Sequence, residues 1–139
     1  MSDLTNSSLT DLVNLIKKKE VKSEEVTNAY ISNIKKSKKL NSYITETLDL
    51  ALSKAKIFDQ KSSYDGLLSG IPLAVKDLFC TSGVRTTAGS KMLENFIPNY
   101  ESTITKNLWN EGGFLLGKLN CDEYAMGSSN ETSYFGNVM

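Results

Sequence analysis

The chain has 139 residues, 40% apolar and 23% charged, with 16 basic side chains balancing 16 acidic ones. That length suits one domain with a buried core, and the composition excludes disordered and collagen-like chains. The balanced charge gives no overall field for nucleic acid or an acidic membrane, and no apolar run approaches the length of a membrane span.

The sequence contains no histidine. No Ser-His-Asp or Cys-His pair can be assembled from it, so acid–base work falls to lysine, carboxylate, tyrosine or cysteine. Cys80 and Cys121 lie far apart with no C-x-x-C pair, which argues against a zinc site or a disulfide scaffold and for two free thiols. The opening "MSDLTNSSLT" lacks the charged-then-apolar order of a signal peptide, so the chain reads as soluble and cytoplasmic.

The first part reads as helices. Ser8 and Asp11 resemble a capping box, followed by Leu9, Leu12, Val13 and Ile16 at helical spacing. Ser23 is expected to cap a second helix, with Glu24 and Glu25 in its first turn, an apolar face of Val26, Ala29, Tyr30 and Ile34, and an end near Lys39. An extended link around Tyr43 and Ile44 leads to a third helix from about Leu48 to Gln60, lined by Leu48, Ala51, Leu52, Ala55 and Phe58. The lysine runs "KKKEVK" and "KKSKK" carry no interleaved aromatics and read as solvated helix faces.

The pattern changes at the loop "KSSYDGLLSG", which divides a helical segment, residues 1–62, from the start of an α/β core, residues 63–139. "IPLAVKDLF" then reads as a strand and "CTSGVRTTAGS" as a long loop. Ser102 should cap a helix to about Glu111, with Ile104 and Leu108 inward and Trp109 at its edge, stopped by Gly112 and Gly113. "FLLGKL" is a second strand, and "CDEYAM" starts a short helical turn before "GSSNETSYFG". Strand, helix, strand in that order predicts a parallel βαβ unit in an α/β fold. Two strands do not complete a parallel sheet, so the chain is expected to be the front of a longer protein.

Lys76, at the end of the apolar run Ile71 to Val75, stands out. It reads either as a strand-end cation paired with Asp77 or snorkelling to water, or as a buried lysine able to activate a hydroxyl. The loops "RTTAGS" and "GSSNETSYFG" read as turns or as substrate-facing backbone, and nothing in their residues decides between these. The phosphate-loop spacing GxxxxGK[ST] is missing, so the chain itself gives no nucleotide site.

Taken in order, "GIPLAVKDLF", "VRTTAGSKML" and "GGFLLGKLNCDEYAMGSSNETSYFG" resemble the opening of the amidase signature family. Within it the chain is most similar to the branch of bacterial glutamyl-tRNA(Gln) amidotransferase A subunits, both through "DEYAMGSSNETSYFG" and through the helical "SLTDLVNLIKKKEVKSEEVTNAYI". The resemblance implies the amidase signature fold, N-terminal helices followed by the first strands of a mixed or parallel sheet. It also implies a Ser-Ser-Lys triad whose lysine is Lys76, kept neutral by the apolar flanks Val75, Leu78 and Phe79. It puts both triad serines in a Gly/Ser-rich signature beyond Met139, so the chain alone is expected to be inactive. Met126, Gly127, Ser128 and Ser129 would border the substrate amide.

The resemblance further implies glutamine as substrate and a heterotrimer with the amidotransferase B and C subunits. Transfer RNA would be contacted mainly through the B subunit, and no membrane would be involved. No cofactor would be bound by this chain, with ATP and magnesium used by the B partner. Two other readings stand beside it: a fragment of another amidase signature hydrolase acting on small amides, or a non-catalytic α/β module.

Overall fold

The computed structural model describes residues 4–61 and 65–139. The boundary drawn at 62/63 lies outside the described residues. By contacts the chain forms two compact units, each assembled from separated stretches. Unit 1 gathers Met1–Lys36, Thr47–Leu73 and Leu108–Leu116, and unit 2 gathers Ser37–Glu46, Ala74–Asn107 and Gly117–Met139.

Three α-helices lie wholly within the described residues of unit 1. In α1 (Leu9–Lys17), Ser8 is the N-cap, its hydroxyl accepting from Asp11 N at 3.1 Å, as the capping box predicts. Leu12, Val13 and Ile16 are buried, while Leu9 stays 49% exposed because it lies ahead of the stripe that meets the core. The next helix, α2 (Ser23–Lys36), departs from expectation at its start. Ser23 is not the cap; it is fully buried and its hydroxyl donates to Gly70 O at 2.6 Å. The orphan amides of the first turn are satisfied from another helix: Asp59 accepts from Ser23 N at 2.8 Å and from Glu24 N at 3.0 Å. Glu25 also reaches back to Lys22 N at 2.8 Å.

Asp59 is the last residue of α3 (Leu48–Asp59), whose buried face is Ala51, Ala55 and Phe58. The unit 1 core is Leu12, Val13, Ile16, Val26, Phe58 and Ile71. A Cβ on Gly70, at φ +79°, would fall 2.7 Å from the Phe58 ring, so glycine lets the chain pass the core closely.

The segment around Tyr43 is a strand rather than a link. Three strands, β1 (Tyr43–Glu46), β2 (Pro72–Lys76) and β3 (Phe114–Leu119), form a sheet in the order β1-β3-β2. β1 runs antiparallel to β3, with Tyr43 opposite Leu119 and Glu46 opposite Gly117. β2 runs parallel to β3: Gly70 N donates to Gly112 O and Asp77 N to Leu119 O, a constant offset along both chains. The sheet is therefore mixed, within the expected α/β class. As the central strand β3 is buried from Phe114 to Lys118.

The connection between β2 and β3 carries α4 (Thr103–Asn110), capped by Ser102, whose hydroxyl accepts from Thr105 N at 3.2 Å. The inward residue is Thr105, fully buried, and not Ile104, which is 50% exposed. The Thr105 hydroxyl reaches Cys80 O and the Glu101 carboxylate, at 3.1 and 2.5 Å, so a polar contact took the position assigned to an apolar one.

Candidate functional site

The edge of unit 2 beyond the carboxyl ends of β2 and β3 gathers the residues singled out in the sequence. In open α/β sheets ligands bind at this edge. Lys76 is the last residue of β2 and Leu119 the last of β3, and the bond from Asp77 N to Leu119 O, 2.9 Å, keeps the two ends level. The segment after β3 then carries Cys121, Asp122 and Met126 to Ser129.

At the end of β2 Val75 is buried between exposed Ala74 and Lys76, so the Lys76 side chain lies on the exposed face. The apolar enclosure expected from Leu78 and Phe79 does not surround it, since Leu78 is 39% exposed and Phe79 half-buried. The expected pairing with Asp77 is also not formed, because successive strand residues point to opposite faces. Asp77 points inward, is fully buried, and faces Lys118 Nζ at 3.5 Å. Its other oxygen accepts from Thr87 N at 2.8 Å and from the Thr87 hydroxyl at 2.5 Å.

Lys118, also fully buried, completes its shell by donating to Phe79 O at 2.8 Å and to the Thr86 hydroxyl at 2.7 Å. Burial pushes its ammonium down from the usual lysine range, an effect opposed chiefly by the Asp77 carboxylate. The buried lysine of this sheet is thus Lys118, which sequence reasoning passed over. The signal was available: Lys118 interrupts the apolar run "FLLGKL" as Lys76 interrupts "IPLAVK".

The loop "RTTAGS" is not a surface turn. Thr86, Thr87, Ala88, Gly89 and Ser90 are all buried, the last donating to Glu123 at 2.6 Å. Ala88 N donates to Asp77 O at 3.0 Å, and Gly89 has φ +67° with no room for a Cβ, which would fall 2.5 Å from Cys121 O. The loop is therefore a packed cradle under the end of β2.

After β3, Asp122 organises the loop. It accepts from Asn130 N at 2.9 Å, Thr132 N at 3.2 Å and the Thr132 hydroxyl at 2.9 Å, and these bonds hold its carboxyl below the usual range. A Cβ on Gly127 would collide with the Asp122 carboxylate, so glycine is required there by close packing. Met126 is 79% exposed, and Gly127, Ser128 and Ser129 are exposed too. Burial pushes the Cys121 thiol up, and the charges of Asp77, Lys76, Asp122 and Lys118 all bear on it. Lys76 and the start of this loop thus share one neighbourhood. Among the described residues, no ion pair joins Lys76 to another side chain.

Cys80 and Cys121 are free thiols. Among the described residues, no group of three potential ligands could hold a metal ion, and no helix is long and apolar enough to cross a membrane.

A family model described as Amidase matches residues 25–139, most of the chain and all of this edge. The chain belongs to the amidase family. The glutamyl-tRNA(Gln) amidotransferase A subunit of Pelagibacter ubique (strain HTCC1062) is 65% identical over 138 residues, covering 99% of this chain and 28% of that protein. The protein of the same name from Rickettsia bellii (strain OSU 85-389) is 53% identical over 141 residues, covering 100% of this chain and 29% of its own length. Among solved structures, the glutamyl-tRNA(Gln) amidotransferase A subunit from Thermotoga maritima superposes with a TM-score of 0.76 at 28% identity, over 98% of this chain and 27% of that one. A bacterial aryl acylamidase of the amidase signature family gives 0.84 at 27% identity, over 94% of this chain and 28% of its own. The mixed α/β arrangement is therefore that of amidase signature enzymes. This amidase-family chain spans less than a third of the length of these relatives and is homologous to the N-terminal part of the amidotransferase A subunits.

Proposed function

We propose that the chain supplies the lysine of a Ser-Ser-Lys amidase centre in a glutamine-hydrolysing amidotransferase subunit. The observation that carries this reading is the 65% identity to a glutamyl-tRNA(Gln) amidotransferase A subunit, which runs through the segment bearing Lys76. The position of Lys76 at the carboxyl end of β2, level with the end of β3, supports it, because a base there can meet a ligand at the sheet edge.

In this reading the Lys76 amine accepts, through a bridging serine, the proton of a nucleophilic serine as that serine attacks the glutamine amide carbonyl. Lys76 returns that proton through the bridging serine to the amide nitrogen, which leaves as ammonia, and water then hydrolyses the acyl-enzyme, releasing glutamate and the free serine. Both serines and the oxyanion-binding amides would come from sequence outside residues 1–139, so these residues alone would not turn over. Met126, Gly127, Ser128 and Ser129, exposed beyond β3, would border the substrate amide.

Ammonia would pass to the B subunit of a cytoplasmic heterotrimer completed by the C subunit. There, ATP and magnesium would serve conversion of Glu-tRNA(Gln) to Gln-tRNA(Gln) for translation. The zero net charge of this chain fits tRNA contact lying mainly on the B partner.

In the full-length protein assembled with the B and C partners, Lys76→Ala should reduce glutamine hydrolysis by at least about a thousandfold while the complex still assembles. Glutaminase activity near that of the wild type would dismiss the base role. Failure of the full-length protein to bind either partner, with turnover of simple aliphatic or aryl amides, would move the assignment to another amidase of the family.

A further inference from the structure

Lys118 and Asp77 form a buried, oppositely charged pair that the chemistry above does not use, and it adjoins the residue on which that chemistry depends. Asp77 directly follows Lys76, its backbone N bonded to Leu119 O and its O bonded to Ala88 N. Lys118 binds the Asp77 carboxylate and, two residues further on, Phe79 O. One ammonium from the central strand therefore pairs with the side chain next to Lys76 and donates to the backbone three residues after it. Thr86 and Thr87 close the cage from the buried loop.

We infer that Lys118 is a positioning residue for Lys76: through Asp77 and Phe79 it fixes the end of β2 and cancels the charge of the neighbouring carboxylate. The inference rests on Lys76 being the base.

The charges of Asp77, Lys76, Asp122 and Lys118 all act on the Cys121 thiol, and Cys80 and Glu101 act with Asp77 on Lys118. Asp77 anionic and alone would favour the ammonium form of Lys76, the form that cannot accept a proton. In the structure that carboxylate is compensated by the Lys118 ammonium 3.5 Å away. A buried pair kept only for stability is easily replaced by apolar residues, whereas this one also sets the charge balance beside a reactive amine.

The test uses the full-length protein assembled with its partners, with glutamine hydrolysis followed against pH. Lys76→Ala comes first: activity retained there defeats the base assignment itself. With that variant inactive, Lys118→Met should lower kcat about tenfold with little change in KM for glutamine, and move the acid limb of the profile up by about half a pH unit or more.

Asp77→Asn should move the same limb the other way, because it leaves the cation uncompensated. The double variant Lys118→Met with Asp77→Asn should return the limb towards its original position. If a single variant fails to assemble, the remaining two decide. Acid limbs that coincide in every assembled variant, with losses of rate matching losses of folded enzyme, would overturn the inference and leave the pair purely structural.

Discussion

At the scale of single residues, the most informative side chains are polar ones turned inward. Asp122 is held ionised by the amides of Asn130 and Thr132. Because folding depresses its carboxyl below the ordinary 3.8, its contribution to stability is full above that value. The contribution is lost as pH falls from there towards the lower folded-state value. Amide exchange at Asn130 and Thr132, corrected for intrinsic rates, should therefore lose protection as the solution is acidified through that window. Asp122→Asn should remove the pH sensitivity, and an unchanged acid response in the variant would show that another group governs the loop.

Residue types also explain what the sequence revealed at this scale. The carboxyl-edge position of Lys76 was readable because strands end at recognisable breaks. Its exposure was not, since facing direction depends on where each strand's partners lie. The same uncertainty hid Lys118: a lysine in an apolar strand gives equal warning wherever it occurs, and only the sheet order makes "FLLGKL" central and "IPLAVK" peripheral.

At the scale of elements, helix identity was legible, phase was legible in α1 and α3 but not in α4, and helix starts were only partly so. Ser8 and Ser102 cap as their local patterns require, because the cap and the amides it serves are three residues apart. Ser23 has the same local pattern, yet its hydroxyl is taken by Gly70 O and the amides of α2 are served by Asp59. A contact spanning 36 residues leaves no trace in a local window. Similarly, β1 is too short to announce itself by alternation and exists because β3 offers it an antiparallel edge. Asp59→Ala should cost about 1–2 kcal/mol in urea unfolding, and Asp59→Asn, which keeps an acceptor, appreciably less. Equal losses for the two would mean that one acceptor is not enough and that the cap needs the second carboxylate oxygen and its charge.

At the scale of the whole molecule, neither compact unit is a continuous stretch of chain. The unit 1 core joins Leu12, Val13, Ile16, Val26 and Phe58 to Ile71. Strand β1 in unit 2 belongs by sequence to the helical part, yet pairs with β3 residues more than seventy positions later. Residues 1–62 and 63–139, produced as separate polypeptides, should each show collapsed amide dispersion in two-dimensional NMR. Mixing should recover at least part of the dispersion of the intact chain. Native-like dispersion of either piece by itself would show that it folds autonomously. The family was legible across the molecule because the motif-bearing segments occur in order, whereas the interleaving of the units arises from long-range pairing that no segment displays alone.

The cap on α2 also bears on how this protein can be recombined with its relatives. A crossover anywhere between Glu25 and Phe58 would take the first turn of α2 from one parent and the carboxylate that serves it from the other. Because the donors are backbone amides, such chimeras keep the cap only where the parent that supplies the end of α3 places an acceptor at position 59.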